Sequence, residues 1–454
     1  MAEDDGERLP LKARLRDVDS PAKTMSPGFA VVFALNYMFG SGFLTLPRAF
    51  VDATVPVGVV LTLAITLGAT ASAECLLDVM ARAGAPLHVP ELCRKFLGVA
   101  GEHLYLFMLV GFMVGALWGY AAIFALSFEA HGFLPEMELT YEIYVLLFGC
   151  VVLPFACVDL ADQKFSQALL AFGRTVMLVV MTTTAGVALF AQGPLHERTA
   201  SSRPPFARVV AAAPVVAYAC TLHHSVPQIC GPVETSTFVL NYVFRVAFFL
   251  AAVFYVLFST VIALFFGDLT KAAVNLDWAD YHLTGVSPFV RSLGHVLAKF
   301  VVLYPAVNVV ATYPLTAITL GDAFLDAFFS SSRRSRTHLV CCRLFAATPP
   351  LVGALCVSDI SAITRFTGVF GLAMCGVYPG LLALAARRAV PEPTPNTSAL
   401  NGPLASLTLV VVGAVLCLTP LLDALNAAIA ASWAAEDAPN SSSGLRHRDT
   451  SFPY

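Results

Sequence analysis

Charge is what this 454-residue sequence has least of. Lys, Arg, Asp and Glu make up 13% of it and hydrophobic residues 57%, whereas an ordinary soluble domain is about 25% charged. A water-soluble chain of this length has no interior that could hide so much apolar surface. The composition therefore excludes a soluble protein and specifies an integral membrane protein whose first partner is the lipid bilayer. A basic domain is missing as well: the formal net charge is −3, so no nucleic-acid partner is expected. The eleven cysteines are scattered, mostly inside apolar runs. With no CxxC pair and no Cys/His ligand spacing, neither a disulfide framework nor a zinc site is indicated. There is no GxxxxGK[ST] loop for nucleotide phosphates, which argues against an ATP-driven pump. No Ser/His/Asp or metal cluster suggests an intramembrane enzyme, so no catalytic residue and no cofactor are expected. Met1–Ser26 is polar and charged with no apolar leader, and the first span is expected to act as its own insertion signal.

What the sequence has is a series of long apolar runs. A spanning helix needs roughly 20 mostly apolar residues. That ruler gives eleven candidates, at about Gly28–Phe50, Pro56–Met80, His103–Ala130, Tyr141–Val158, Phe165–Ala191, Arg208–Ile229, Phe238–Phe266, Val290–Ala323, Leu339–Val357, Phe366–Ala386 and Leu404–Trp433. With the N-terminus in the cytosol, lysines and arginines concentrate in the inside segments, as the positive-inside rule requires. The expected organisation is a cytosolic tail over residues 1–25, one membrane domain over 26–434 and a C-terminal tail over 435–454. Val89–Leu97, with apolar Val89, Leu92, Phe96 and Leu97 around Arg94 and Lys95, suits a short amphipathic helix at the membrane surface. Pro391–Pro403 reads as a Pro-rich linker before the last span. Asn396-Thr397-Ser398 and Asn440-Ser441-Ser442 are glycosylation sequons. Arg174, Arg245, Asp322 and Asp326 are read as snorkelling residues near span ends. Glu74 lies deeper and has no partner that the sequence names.

Two of the runs are interrupted. FALNYMFGSGFLTLPRAF, Phe33–Phe50, carries a lone amide at Asn36, the glycines of Gly40-Ser41-Gly42, and Pro47. Glycine weakens a helix by about 1 kcal/mol relative to Ala. The sixth run carries Pro214, the polar stretch Cys220-Thr221-Leu222-His223-His224-Ser225, and Pro227. Runs one and six occupy equivalent positions if five spans repeat as five spans. Paired breaks at matching places point to the substrate site of a secondary transporter. Unwinding frees N–H and C=O groups that hydrocarbon cannot satisfy, and these can hold an ion or a zwitterion. The competing reading is that Gly and Pro merely permit close helix packing. On the site reading, the candidate substrate contacts are Phe39, Gly40, Ser41 and Gly42 at the first break and Tyr218, Cys220, Thr221 and His223 at the second. His223 and His224 are either buried packing residues or groups that carry a coupling proton.

The string Asn36–Phe50 resembles the first span of the amino acid/auxin permease family, the transmembrane amino acid transporters of the amino acid–polyamine–organocation superfamily. Val89–Gly98, Ala217–Ile229, Ala311–Asp322 and Thr367–Leu382 are similar to later segments of that family in the correct order. The resemblance implies an all-α multi-pass protein of about eleven membrane helices with a LeuT-like 5+5 inverted repeat. The repeats would cover about 28–191 and 206–388, with one extra helix at about 404–433 and a cytosolic N-terminus. It implies secondary transport of an amino acid substrate, coupled to Na⁺ or H⁺, by a transport unit that is a monomer. It assigns ion-binding roles to Asn36 and Thr312. The alternatives are that the amide glues helices together and that the hydroxyl bonds its own helix. Arg48 departs from the family pattern, standing where an aromatic residue is common, with Asp52 as a candidate partner. The membrane is either the plasma membrane or a vacuolar/lysosomal-type endomembrane. Two other functions remain open: an amino-acid sensor (transceptor) on the same fold, and a transporter of another small organic solute. A sensor would be expected to carry a longer partner-binding tail than Met1–Met25.

Overall fold

Helix is the backbone's solution wherever water is absent, because it satisfies its own N–H and C=O groups. The computed structural model describes residues 25–84, 87–131, 139–158, 164–196, 204–230, 237–279, 288–329 and 335–436, and among these there is no strand. The helices run α1 Pro27–Met38, α2 Leu46–Ala53, α3 Val55–Ala83, α4 Val89–His131, α5 Tyr141–Ala156, α6 Lys164–Gln192, α7 Pro205–Cys220, α8 Val226–Cys230, α9 Thr237–Phe266, α10 Pro288–Phe328, α11 Arg336–Cys356, α12 Ile360–Leu372, α13 Tyr378–Ala389 and α14 Pro403–Glu436. Among the described residues, nine helical segments are long and apolar enough to cross a membrane, and ten if the bent pair Pro27–Met38 and Gly42–Ala53 is one span. The candidate span at Tyr141–Val158 is the apolar helix α5 of 16 residues. At 1.5 Å rise per residue it is about 24 Å long, short of the ~30 Å hydrocarbon core. The sequon at Asn440 and most of both tails lie outside the described residues.

Several local expectations can be followed to their causes. Val89–Leu97 is helical and buries Val89, Leu92 and Cys93 while exposing Glu91, Arg94 and Lys95. It is set off from the rest of α4 by Gly98, whose φ of 78° and ψ of −176° are not helical. A side chain at Gly98 would be strained there. α12 and α13 join through one wide π turn, Ala373–Val377. Pro379 follows it and has no N–H to close a regular turn.

The broken pairs α1/α2 and α7/α8 lie among α3, α9 and α12, while α4 packs on α10, α11 and α5. The two sets are joined where α4 also packs on α12 and where α6 touches both α9 and α10. α14 packs on α12 and α13 and leaves most of its surface outward, with Leu404 78% exposed. A belt of exposed Phe, Leu and Val, including Phe190 and Phe249, faces the surroundings as a lipid-contacting surface does.

The segment between α13 and α14 is not a free linker. The carboxylates of Glu74 and Asp78 on α3 are fully buried. Asp78 Oδ2 accepts from Arg82 Nε at 3.1 Å and from Arg387 Nη2 at 3.0 Å. Its Oδ1 accepts from the hydroxyls of Thr394 and Thr397. Glu74 accepts from Arg245 Nε at 2.5 Å and from Ser398 Oγ. Asn396 Nδ2 donates to the Leu77 carbonyl at 3.1 Å, and Asn401 Nδ2 donates to the Glu74 and Asn396 carbonyls. Two of the residues read as snorkelling are therefore paired: Arg245 with Glu74, and Asp322 with Arg343 at 2.9 Å.

Replacing Asp78 by Ala leaves two arginines facing a buried gap, a loss of about 3–5 kcal/mol. A large fall in the unfolding temperature of the detergent-solubilised protein is the expected reading. Asn396 is 2% exposed with its amide engaged. Mass spectrometry of the protein from glycosylating cells should find Asn396 unmodified.

Candidate functional site

The two interrupted helices meet. α1 ends at Met38, residues 39–41 are irregular, Gly42–Thr45 forms a single 3₁₀ turn and α2 continues at a bend of 52°. α7 ends at Cys220, Thr221 and Leu222 are irregular, and a 3₁₀ turn over His223–Ser225 leads into α8. Gly42 is where they touch. A Cβ there would lie 2.9 Å from Tyr218 Cδ1 and 3.0 Å from Ala219 Cα, so no larger residue fits without pushing the two chains apart. Ser41 Oγ and the Tyr218 hydroxyl are 2.9 Å apart and bridge the breaks directly.

Each break frees carbonyl groups, and side chains meet them. The Tyr255 hydroxyl of α9 lies 2.8 Å from both the Met38 and Ala219 carbonyl oxygens, which share its one proton. Thr45 donates to the Gly42 carbonyl at 2.9 Å and Thr221 to the Ala217 carbonyl at 2.7 Å. The largest contribution comes from Arg174 of α6, only 8% exposed. Its Nη1 donates to the Asn36 carbonyl at 3.0 Å, to Asn36 Oδ1 at 3.1 Å and to the Phe39 carbonyl at 2.6 Å. Its Nη2 donates to Asn308 Oδ1 of α10 at 3.0 Å. Arg174 is thus no snorkelling residue. It is buried beside the first break, and no carboxylate pairs with it among the described residues.

On the α2 side of the break stands a second charged group. Arg48 pairs with Asp52 at 2.9 Å and donates to the Thr270 carbonyl at 3.0 Å, and Arg365 of α12 reaches Asp52 at 3.4 Å. The partner expected for Arg48 is the one it has. The cavity bordered by Gly40, Ser41, Ile123, Arg174, Tyr304 and Asn308 measures about 10 Å³, roughly the room for one water molecule. No solute larger than water fits in that cavity as it stands.

A family model for transmembrane amino acid transporter proteins matches residues 23–421. The chain belongs to the transmembrane amino acid transporter family. The similarity read from Asn36–Phe50 thus extends over nearly the whole sequence. Relatives include human Transmembrane protein 104, 21% identical over 82% of this chain and 90% of its own length. The mouse protein of that name is 22% identical over 82% and 90%. The Caenorhabditis elegans homolog is 21% identical over 85% and 94%. Their names state no substrate.

In this member of the family, the residues singled out by sequence have different placements. Phe39, Gly40, Ser41, Gly42 and Tyr218 come together at the contact of the breaks. The Phe39 ring packs on Phe254 and Tyr255 while its carbonyl faces Arg174. Cys220 is fully buried, and Thr221 bonds its own helix. His223 turns away from the contact: its Nε2 lies 3.0 Å from the Ala69 carbonyl of α3 and its ring stacks on Phe248 of α9. The His224 ring packs near Phe112. Asn36 is at the first break with its side-chain oxygen held by Arg174. Thr312 donates to the Asn308 carbonyl of its own helix at 2.8 Å, so the α10 side chain that reaches the break is Asn308. Sequence reading missed Arg174, Asn308 and Tyr255. A guanidinium ten residues inside an apolar run and an amide between Pro305 and Pro314 were visible signals, since intramembrane polar groups are functional candidates by default.

Tyr255→Phe removes the donor shared by two buried carbonyls. It is expected to cost about 1–3 kcal/mol, read as a lowered unfolding temperature. A wild-type temperature would contradict the bridging role.

Proposed function

We propose that this protein is a secondary active transporter of amino acids that works by alternating access around the contact between its two helix breaks. The observation that carries the reading is the Ser41–Tyr218 contact at 2.9 Å between two unwound segments, in a chain of the amino acid transporter family. An amino acid carries a carboxylate and an ammonium group. The start of a half-helix attracts the first, and carbonyls freed by unwinding accept from the second. Phe39, Gly40, Ser41, Gly42 and Tyr218 form the substrate contacts in this reading. Because the cavity holds about 10 Å³, it has no room for an amino acid, and in this reading α1 or α2 must swing for a solute to enter. Arg48, Asp52 and Arg365 close one approach.

In the same reading α5 is the fourth of eleven membrane helices, and residues about 28–191 and 206–388 form two inverted repeats. α14 is the extra helix and the N-terminus is cytosolic. The transport unit is a monomer in the plasma membrane or a vacuolar/lysosomal-type endomembrane. Na⁺ or H⁺ supplies the coupling.

The test is uptake into proteoliposomes, with amino acids offered singly and Na⁺ and pH gradients imposed separately. At least one amino acid should accumulate. Tyr218→Phe, which removes one bridging hydroxyl worth about 1 kcal/mol, should lower its uptake several-fold. Binding of an amino acid without uptake under any gradient would favour the sensor reading. Neither binding nor uptake of any amino acid would move the substrate to another class of small organic solute.

A further inference from the structure

Four neutral oxygens converge on Arg174: the Asn36 carbonyl, Asn36 Oδ1, the Phe39 carbonyl and Asn308 Oδ1. Uncharged carbonyl and amide oxygens from an unwound segment and a facing helix are the donor set that a desolvated alkali cation takes. Two of them lie at the C-terminal end of α1, where the helix dipole favours a positive charge. They belong to the first break and to α10, which line one small cavity together. Arg174 on α6 reaches the break after α1 with one amino group and α10 with the other. We propose that Arg174 is a tethered cation that permanently fills the cation seat between α1 and α10, so that solute movement through this protein does not depend on Na⁺.

The chemistry separates a tethered charge from a diffusible one. A sodium ion that completes the seat on one side of a membrane and leaves it on the other carries the energy of its gradient. Arg174 supplies the same charge to the same oxygens but remains bonded to α6, so it crosses nothing. Its guanidinium holds its proton at all physiological pH values, and the seat cannot serve as a proton carrier either. A coupling proton, if one moves, must use another group. Asn36 then keeps the position expected of an ion ligand, but its ion is part of the chain. The inference narrows the coupling ion and rests on the transport reading only in its uptake arm.

Thermal unfolding of the purified full-length protein, in NaCl and in choline chloride of equal ionic strength, requires no substrate. The wild type should unfold at the same temperature in both salts. Arg174→Ser removes the tethered charge and leaves the four oxygens. It should unfold at a lower temperature in choline and regain stability as Na⁺ is titrated in, as binding to the folded state requires. Arg174→Lys keeps a charge in the seat and should stay indifferent to Na⁺. In proteoliposomes, uptake by the wild type should be unchanged when choline replaces Na⁺, while Arg174→Ser should lose uptake in choline and recover it in Na⁺. A sodium-dependent shift of the wild type overturns the proposal, and this arm stands even if Arg174→Ser does not fold. Equal destabilisation of Arg174→Ser in both salts also overturns it. Absence of uptake for every amino acid would count against the transport reading and leave the seat to be decided by the unfolding measurements.

Discussion

Everything near the centre of this protein follows from one constraint: a helix that stops inside hydrocarbon strands its last carbonyls where no water can reach them. Two helices stop here, at Met38 and Cys220. Tyr255 serves one carbonyl from each break, and Arg174 serves two at the first. The hydroxyls of Thr45 and Thr221 serve carbonyls of the adjoining turns. The α6 and α9 positions matter because they deliver these donors. Gly42 matters because only its missing side chain lets the two breaks share them.

The same constraint gives the region its capacity to respond. A carbonyl held by a side chain from another helix can be released when that helix moves, whereas a carbonyl inside a regular helix cannot. The donors that reach the breaks from other helices come from α6 and α9, and the α6 donor is itself held by an acceptor on α10, so a relative shift of α1 against α6 and α9 changes which groups are satisfied. Binding of a zwitterion can substitute for what such a shift removes. In the proposed function that exchange is the physical content of alternating access at this contact, and the small cavity beside Gly40 and Ser41 is one end of it.

Much of the architecture was legible in the order of residues. The positions of the long helices follow from apolar run length, and the first break follows from Gly40 and Gly42 with Pro47 beyond. The amphipathic start of α4 follows from the spacing of Val89, Leu92 and Phe96. The contact between the breaks was legible only in part. Its backbone could be placed, but which side chains turn toward it depends on rotations of α6, α7 and α10 that an all-apolar run leaves unspecified. Hence Asn308 reaches the break in place of Thr312 one turn away, and His223 points to α3. Arg174 was misjudged for a different reason. Rules about charged residues at helix ends assume that the end is nearby, and the guanidinium instead finds its polar surroundings in another helix's break. Glu74 shows the same limit, since its partners at Arg245 and Ser398 lie far away in sequence.

The connection between α13 and α14 carries a consequence for how the parts can travel. Composition alone describes residues 391–403 as a loose, Pro-rich string. In the fold its polar residues are seated on α3 by Asp78, Glu74 and the Leu77 carbonyl. α3, α13 and the base of α14 are therefore riveted into one plate. If the broken helices rock as proposed, they do so against that plate or carry it whole, and α14 then travels with α3.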